Sequence, residues 1–354
     1  MNLFPKEQIA SAIPSLLAWY DVCKRPMAWR DEVSPYRTWV SEIMLQQTRV
    51  EAVRAYFDRW MAALPTVESL AAADMEQLYK LWEGLGYYSR VRNLKKAAEI
   101  VVRDFGGFLP SDEKNLKALP GIGDYTAGAI RSIAFGLPAA AVDGNVIRVF
   151  ARFLNIDTVI SDDKHKKELA VVLKEISPTD KCSDFTQALM ELGALVCLPG
   201  SPKCEVCPWK GQCRGFAAGR AASLPVLPVK PQKDKIPMTV CVLQNKQGVF
   251  LRKRPDKGLL AGLWEPWHTE GTLSLEQLRQ QLLSDGIEVI ALRPLGQRKH
   301  VFTHKIWEMT GFAVECNNDK LKNFTFVRNE QIQTDYALPK AFSPFLEENN
   351  GKTQ

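Results

Sequence analysis

Residues 119–125 read Leu-Pro-Gly-Ile-Gly-Asp-Tyr, and the reading of this short turn decides the fold. A helical pattern ends before it near Ala118 and another covers Tyr125 to Phe135, so Gly121 and Gly123 stand between two helices, where glycine readily supplies positive φ. The second helix begins at once, and several backbone N–H groups therefore converge outward. Such a turn holds a phosphate without reading any base. A plain helix–helix turn is the alternative, but the helices on both sides point to non-specific contact with a DNA backbone.

Twenty residues beyond Gly123 comes Ala141-Val142-Asp143-Gly144-Asn145-Val146, followed by a helical stretch over Ile147–Leu154. Asn145 is expected to cap that helix, which places Asp143 just before its positive end, where ionisation is favoured. Read alone, Asp143 only helps the cap. Upstream, Glu42 sits in Val40-Ser41-Glu42-Ile43-Met44-Leu45 among largely apolar neighbours. Burial there raises the carboxyl pKa and lets it carry a proton at neutral pH, whereas a surface position leaves an ordinary helical Glu. One acid kept protonated and another kept ionised is the pairing that cleaves a glycosidic bond through an oxocarbenium-like state. The only histidines are His165, His268, His300 and His304, and no Ser-His-Asp or Cys-His arrangement competes. Thr48-Arg49-Val50-Glu51 has capping-box spacing, so a helix is expected to start there and run towards Trp60, leaving Gln46 and Gln47 at a helix–helix junction.

The helical reading extends from about Lys6 to Gly219 and closes on Cys197, Cys204, Cys207 and Cys213, spaced C-x6-C-x2-C-x5-C. Four thiolates suit either zinc or an iron-sulfur cluster. A zinc ribbon usually offers two C-x2-C knuckles and this segment has one, so the spacing favours the cluster while a four-thiolate zinc site stays open. Either centre is structural, since no ligand position is left over. Lys203, Lys210 and Arg214 around it present positive charge suited to phosphates. Cys23, Cys182, Cys241 and Cys316 are scattered and read as inert.

The whole chain has 354 residues, enough for two or three domains. Hydrophobic residues make up 46% and charged residues 24%, which excludes disordered and collagen-like chains. No apolar run is long enough to span a membrane. The N-terminus lacks a basic start, a continuous apolar stretch and a cleavage site, so the cytoplasm is the expected compartment. Forty-six Lys plus Arg against 40 Asp plus Glu leave +6, which permits a polyanionic partner without demanding one. Beyond the cysteines, Ser223–Pro237 is rich in proline and reads as a linker that cannot pair as a central strand. The period then changes: strands are expected over Met238–Leu243 and Val249–Arg252, a capped helix over Thr272–Ser284, and strands over His300–Glu315. The predicted division is a helical core over 1–222, a linker over 223–237, an α+β domain over 238–346 and a frayed tail over 347–354.

Several of these stretches together resemble the MutY-type adenine DNA glycosylases of the helix-hairpin-helix superfamily. They are SEIMLQQTRV from Ser41, WEGLGYYSRVRNL from Trp82, LPGIGDYTAGAI from Leu119, AVDGNVIRV from Ala141, the four-cysteine knot, and HVFTH from His300. The resemblance implies a multidomain protein: an all-α helix-hairpin-helix core with an iron-sulfur knot, and a C-terminal α+β Nudix-like domain. It implies removal of adenine mispaired with 8-oxoguanine or guanine. Glu42 would protonate N7 of the adenine, Asp143 would stabilise the sugar cation or form a transient adduct with it, and Asn145 would orient this acidic site. Tyr125 stands where bifunctional relatives carry a catalytic lysine, which implies a monofunctional enzyme. The four cysteines would hold a 4Fe-4S cluster.

A duplex hides the glycosidic bond, so such an enzyme must extrude the base. Gln47 and Tyr87 resemble the groups that wedge beside the opposite base, with core packing the alternative for the tyrosine, and Trp29 and Arg30 match a segment lining the adenine pocket. Phe302-Thr303-His304 matches the loop that reads 8-oxoguanine, although Phe-Ser-His is the familiar form. Thr272–Ser284 offers only Glu276, so magnesium-dependent pyrophosphatase activity is not expected of the Nudix-like part. The implied partner is double-stranded DNA with these mispairs, bound by a monomer in a bacterial cytoplasm, associated with the nucleoid, with no membrane. Rival readings are an endonuclease III-like glycosylase with lyase activity, against which Tyr125 and the C-terminal domain argue, and a non-catalytic damage binder or redox sensor, which would need neither acid.

Overall fold

The computed structural model describes residues 3–160, 163–228 and 231–351. Residues 1–2 and 161–162, the linker residues Val229 and Lys230, and the tail residues 352–354 lie outside the described residues, as do the side chains of Gln333 and Asn350. The chain falls into two units, Met1–Ala72 with Asn93–Val229, and Ala73–Arg92 with Lys230–Gln354.

The first unit is helical. Ser34 caps Pro35–Leu45 by accepting from Arg37 N at 3.2 Å, with Pro35 preset for the first turn. Asp112 caps Glu113–Ala118 in the same way, accepting from Asn115 N at 2.9 Å. Trp39, Phe57 and Trp60 are fully buried, each contributing about 1.5–3 kcal/mol by leaving water. A further cluster joins Leu16 and Tyr20 to Phe150, Phe153, Leu189 and Trp209, so segments far apart in sequence share one core. The Thr48–Glu51 capping box does not form. Gln47 adopts a left-handed conformation, φ 57°, and Thr48 Oγ1 turns back to Gln46 O at 3.4 Å. Helix Val50–Ala63 therefore starts at Arg49 with no side-chain cap.

The second unit carries a seven-stranded sheet of β1 (Asp234–Asn245), β2 (Gly248–Lys253), β3 (Trp264–Glu265), β4 (Trp267–Glu270), β5 (Val289–Val301), β6 (Lys305–Cys316) and β7 (Thr325–Arg328). The order is β3-β2-β1-β6-β5, with β4 also on β1 and β7 on β2; β1 and β6 run parallel, while β5 and β6 are antiparallel. Alternation along β1 sends Met238, Val240 and Val242 to one face, with Phe342 and Phe345, and Cys241 and Leu243 to the other, with Leu278 and Leu282. Helix Leu275–Ser284 begins with the Ser274–Gln277 capping box.

Three boundaries differ from the sequence reading. Strand β1 starts at Asp234, inside the proline-rich stretch, and Pro237 pairs with Glu308 of β6. The strand tolerates a proline here because its carbonyl still accepts from Gly271 N at 2.8 Å, while Gly271 O accepts from Thr239 Oγ1 at 2.8 Å in place of the missing N–H. Residues 347–351, read as frayed, continue helix Ser343–Gly351, with Asn349 only 1% exposed and Glu348 paired to Arg298 at 2.6 Å. Ala73–Arg92, part of the helical core in the sequence reading, groups by contact with the C-terminal residues. Glu76 accepts from Trp264 Nε1 at 3.1 Å, Glu83 from Leu338 N at 2.8 Å, and Arg92 donates to Ala261 O at 3.0 Å. Among the described residues no helix is long and apolar enough to cross a membrane.

Candidate active site

In the first unit, Glu42, Tyr125, Asp143 and Asn145 line one open cleft of about 160 Å³, together with Trp29 and Arg30. Its mixed apolar and polar lining suits a small organic group. Helix Pro35–Leu45 is buried along most of its length and carries Glu42 inward, 5% exposed. Burial pushes its pKa up to about 7; the Tyr125 hydroxyl, donating at 2.8 Å to Oε2, pulls it back, the Asp143 charge pushes it up and Arg30 lowers it. Near neutral pH this carboxyl therefore holds its proton about half the time. Burial, then the charges of Glu42 and Asp143, hold Tyr125 well above the usual phenol range, so it stays a neutral donor.

Asp143 itself is the N-cap of helix Gly144–Phe153, which corrects the expectation that Asn145 caps it. Its Oδ1 accepts from Asn145 N at 2.9 Å and Val146 N at 2.8 Å, and Oδ2 accepts from Asn145 Nδ2 at 2.7 Å. An anion at this helix end faces the positive pole of the backbone. Asn145 is fixed in turn: Arg148 Nη2 donates to its Oδ1 at 2.9 Å and to Gly193 O at 2.9 Å. A Cβ on Gly193 would stand 2.8 Å from Asn145 Cβ, so only glycine admits this approach. One carboxylate thus serves as cap and as cleft wall, which is why the cap and the acid could not be separated from sequence.

The hairpin lies where the sequence places it, between Glu113–Ala118 and Asp124–Ala129. Gly121 has φ 81°, but Gly123 has φ −94° and ψ −172°, an extended N-cap that any residue adopts. Only one of the two glycines therefore supplies positive φ. Gln47 is exposed at its left-handed turn.

In the second unit, Tyr87 is 48% exposed with φ 48°, and its hydroxyl lies 3.3 Å from Thr303 Oγ1. The turn between β5 and β6 is closed by Phe302 N donating to Lys305 O at 2.8 Å, and Lys233 Nζ donates to Phe302 O at 2.7 Å. The Phe302 ring is held between His300 and Trp307, with centroids at 4.6 and 4.7 Å, which leaves Thr303 and His304 exposed at the tip.

Cys197, Cys204, Cys207 and Cys213 line a separate small cavity, with Arg152 Nη1 3.4 Å from Cys197 Sγ. None of the four forms a disulfide. Arg152 is 2% exposed and also donates to Leu198 O at 2.7 Å and Leu224 O at 2.8 Å, which ties the loop together. Among the described residues no three metal-binding side chains converge closely enough for a single ion. Four thiols lining one cavity are a donor set that fits a thiolate-bound metal centre. Of the surrounding cations, Lys210 pairs with Glu205.

Sequence reading passed over further cleft residues: Arg25, Thr38, Gln187 and Glu191. Glu191 is 2% exposed and accepts from Arg25 Nε at 2.8 Å and Arg30 Nη2 at 2.8 Å. Gln187 donates to Ser183 Oγ at 3.0 Å. The available signal was the polar stripe Ser183, Gln187, Glu191, spaced by four along helix Cys182–Glu191 opposite Phe185 and Leu189.

Residues 40–175 match the HhH-GPD superfamily of base excision DNA repair proteins, and residues 239–348 match the NUDIX domain. The chain is 36% identical over 364 residues to the adenine DNA glycosylase of Homo sapiens, covering 85% of this chain and 66% of that protein. It is 34% identical over 348 residues to the adenine DNA glycosylase of Mus musculus, covering 82% and 68%. It thus spans about two thirds of the length of these mammalian relatives. Among solved structures, a thermostable thymine-DNA glycosylase superposes with a TM-score of 0.55 at 28% identity, over 60% of this chain and 98% of that one.

Proposed function

The chain belongs to the adenine DNA glycosylases, and from that membership we propose that it is a base excision repair enzyme hydrolysing the N-glycosidic bond of adenine mispaired with 8-oxoguanine or guanine. The observation that carries this reading is the meeting of Glu42 and Asp143 in one cleft, the first buried and about half protonated near pH 7, the second held at a helix N-terminus. Glu42 gives its proton to N7 of an extruded adenine. The C1′–N9 bond then breaks with its electron pair leaving on the base, and Asp143 supports the positive sugar until water attacks C1′ and loses its proton. Asn145 keeps Asp143 in place, and Tyr125 holds the Glu42 carboxyl. A tyrosine where a lyase needs an amine leaves the product as an intact abasic site.

Extrusion needs a wedge and a filled gap. Gln47 and Tyr87, each in a left-handed backbone conformation, fit that role, and Gly121 and Gly123 offer backbone N–H groups to a phosphate. Trp29 and Arg30 wall the base pocket. Phe302, Thr303 and His304 read the lesion opposite, a role supported by the exposed tip and by the contact of Thr303 with Tyr87. The partner is duplex DNA, bound by a monomer in the cytoplasm. The test is base release from duplexes with adenine opposite 8-oxoguanine, guanine and thymine. The reading expects release in that descending order; equal release from all three pairs would contradict lesion reading.

Cys197, Cys204, Cys207 and Cys213 would hold a 4Fe-4S cluster, which when bound ties their loop to the helical core. The shared cavity and the neighbouring Arg152 support the assignment. The purified protein is expected to carry about four irons and a visible thiolate-to-iron absorption band, both lost in Cys207→Ser together with several degrees of melting temperature. Stoichiometric zinc without iron would contradict it.

A further inference from the structure

One wall of the cleft carries a polar atom that the chemistry above does not use. Thr38 lies one helical turn before Glu42 on the same face of Pro35–Leu45, lines the same cleft and is 2% exposed. Among the described residues its Oγ1 is buried with no hydrogen-bond partner, whereas the nearby Ser41 hydroxyl donates to Thr38 O at 3.0 Å. An unpaired buried hydroxyl costs free energy that a valine of the same shape would avoid. Arg30 Nε, on the same cleft, is also buried without a partner. Two buried polar atoms that the protein does not satisfy, on residues that line one cavity, mark it as suited to a ligand with polar groups along its edge.

We propose that Thr38 is a substrate-binding residue of this cleft, its hydroxyl accepting a hydrogen bond from the exocyclic amine of the extruded adenine. This rests on the glycosylase reading above. With the Glu42 carboxyl at N7, the amine is the adjacent polar group on the purine rim. Side chains four apart on one helix face stand about 5–6 Å apart at Cβ, so both reach the same edge of a single flat base. The hydroxyl rotates to present a lone pair, and the amine supplies the donor that it lacks in the free protein.

Thr38→Val tests the assignment in single-turnover base release from duplexes holding either adenine or unsubstituted purine, which is adenine without its amine, opposite 8-oxoguanine. The variant is expected to release adenine about tenfold more slowly than wild type, the worth of one hydrogen bond. Purine release should be unchanged by the substitution, and Thr38→Ser should restore the adenine rate. Thr38→Val should also melt no lower than wild type, because it removes an unpaired buried group. An unaltered adenine rate would overturn the assignment. So would an equal loss on both substrates with a lowered melting temperature, which would mark the hydroxyl as part of the scaffold. Absence of release by the wild-type protein from either duplex would instead overturn the glycosylase reading itself.

Discussion

Asp143→Asn is expected to slow adenine release by about 10³-fold, the scale of losing a preorganised charge beside a developing cation, while leaving the fold and duplex binding nearly intact. The capping geometry explains the separation. Asn caps a helix as well as Asp does, so the substituted side chain would still accept from Asn145 N and Val146 N through its amide oxygen. Only the Oδ2 side changes, where an amide donor would face the Asn145 Nδ2 donor. Asn145 cannot turn over without setting its own N–H groups against Arg148 Nη2, so a local cost of about 1–2 kcal/mol remains. Base release, duplex affinity and melting temperature measured together decide the matter. Full activity would refute the role assigned to Asp143, and collapse of the fold would show that its cap matters more than its charge.

Glu42→Gln should lower base release by about 10²–10⁴-fold, the usual worth of a positioned general acid, and should remove one limb of the pH profile. In the wild-type protein that limb falls as pH rises through about 7, where the buried carboxyl loses its proton. Stability should fall over the same range of pH. The folded pKa of Glu42 lies above the value of 4.5 for an exposed carboxyl. Protonation therefore favours the folded state, and that contribution is lost as pH rises from 4.5 through about 7. Above pH 7 the wild-type protein holds an ionised carboxylate beside Asp143, and glutamine avoids this while still accepting from the Tyr125 hydroxyl. The inactive variant is thus expected to exceed wild type in stability at pH 8, by roughly 2–3 kcal/mol, and to match it near pH 4. A wild-type rate that stays flat from pH 6 to 9 would contradict the assignment.

Much of this architecture is legible where physics is local. A thiol spacing, a Gly-rich turn between two helical patterns and the change from helical to alternating periodicity need only neighbouring residues, and the helical first unit and the mixed sheet of the second follow from them. The boundaries shift where distant contacts intervene. Pro237 looks like a linker residue until β6 lies beside it, and Ala73–Arg92 reads as one more helical segment until Trp264 and Leu338 reach Glu76 and Glu83. The Thr48 box fails because one left-handed residue, Gln47, redirects its hydroxyl. In the cleft, Glu42 and Asp143 announce themselves by an acid among apolar neighbours and an acid before a helix. Glu191 shows only as part of a polar stripe and Thr38 not at all: the clamp on two arginines and the unpaired threonine hydroxyl acquire meaning only from what surrounds them in three dimensions.

The central claim is that Glu42 and Asp143 act on opposite sides of one glycosidic bond. Its most direct test is product analysis after a single turnover at pH 7 on a duplex with adenine opposite 8-oxoguanine, using mass spectrometry for free base and a denaturing gel for the strand. Free adenine with an equal amount of uncut abasic strand is the predicted result, whereas a nicked strand, or no free adenine at any enzyme concentration, would contradict the account.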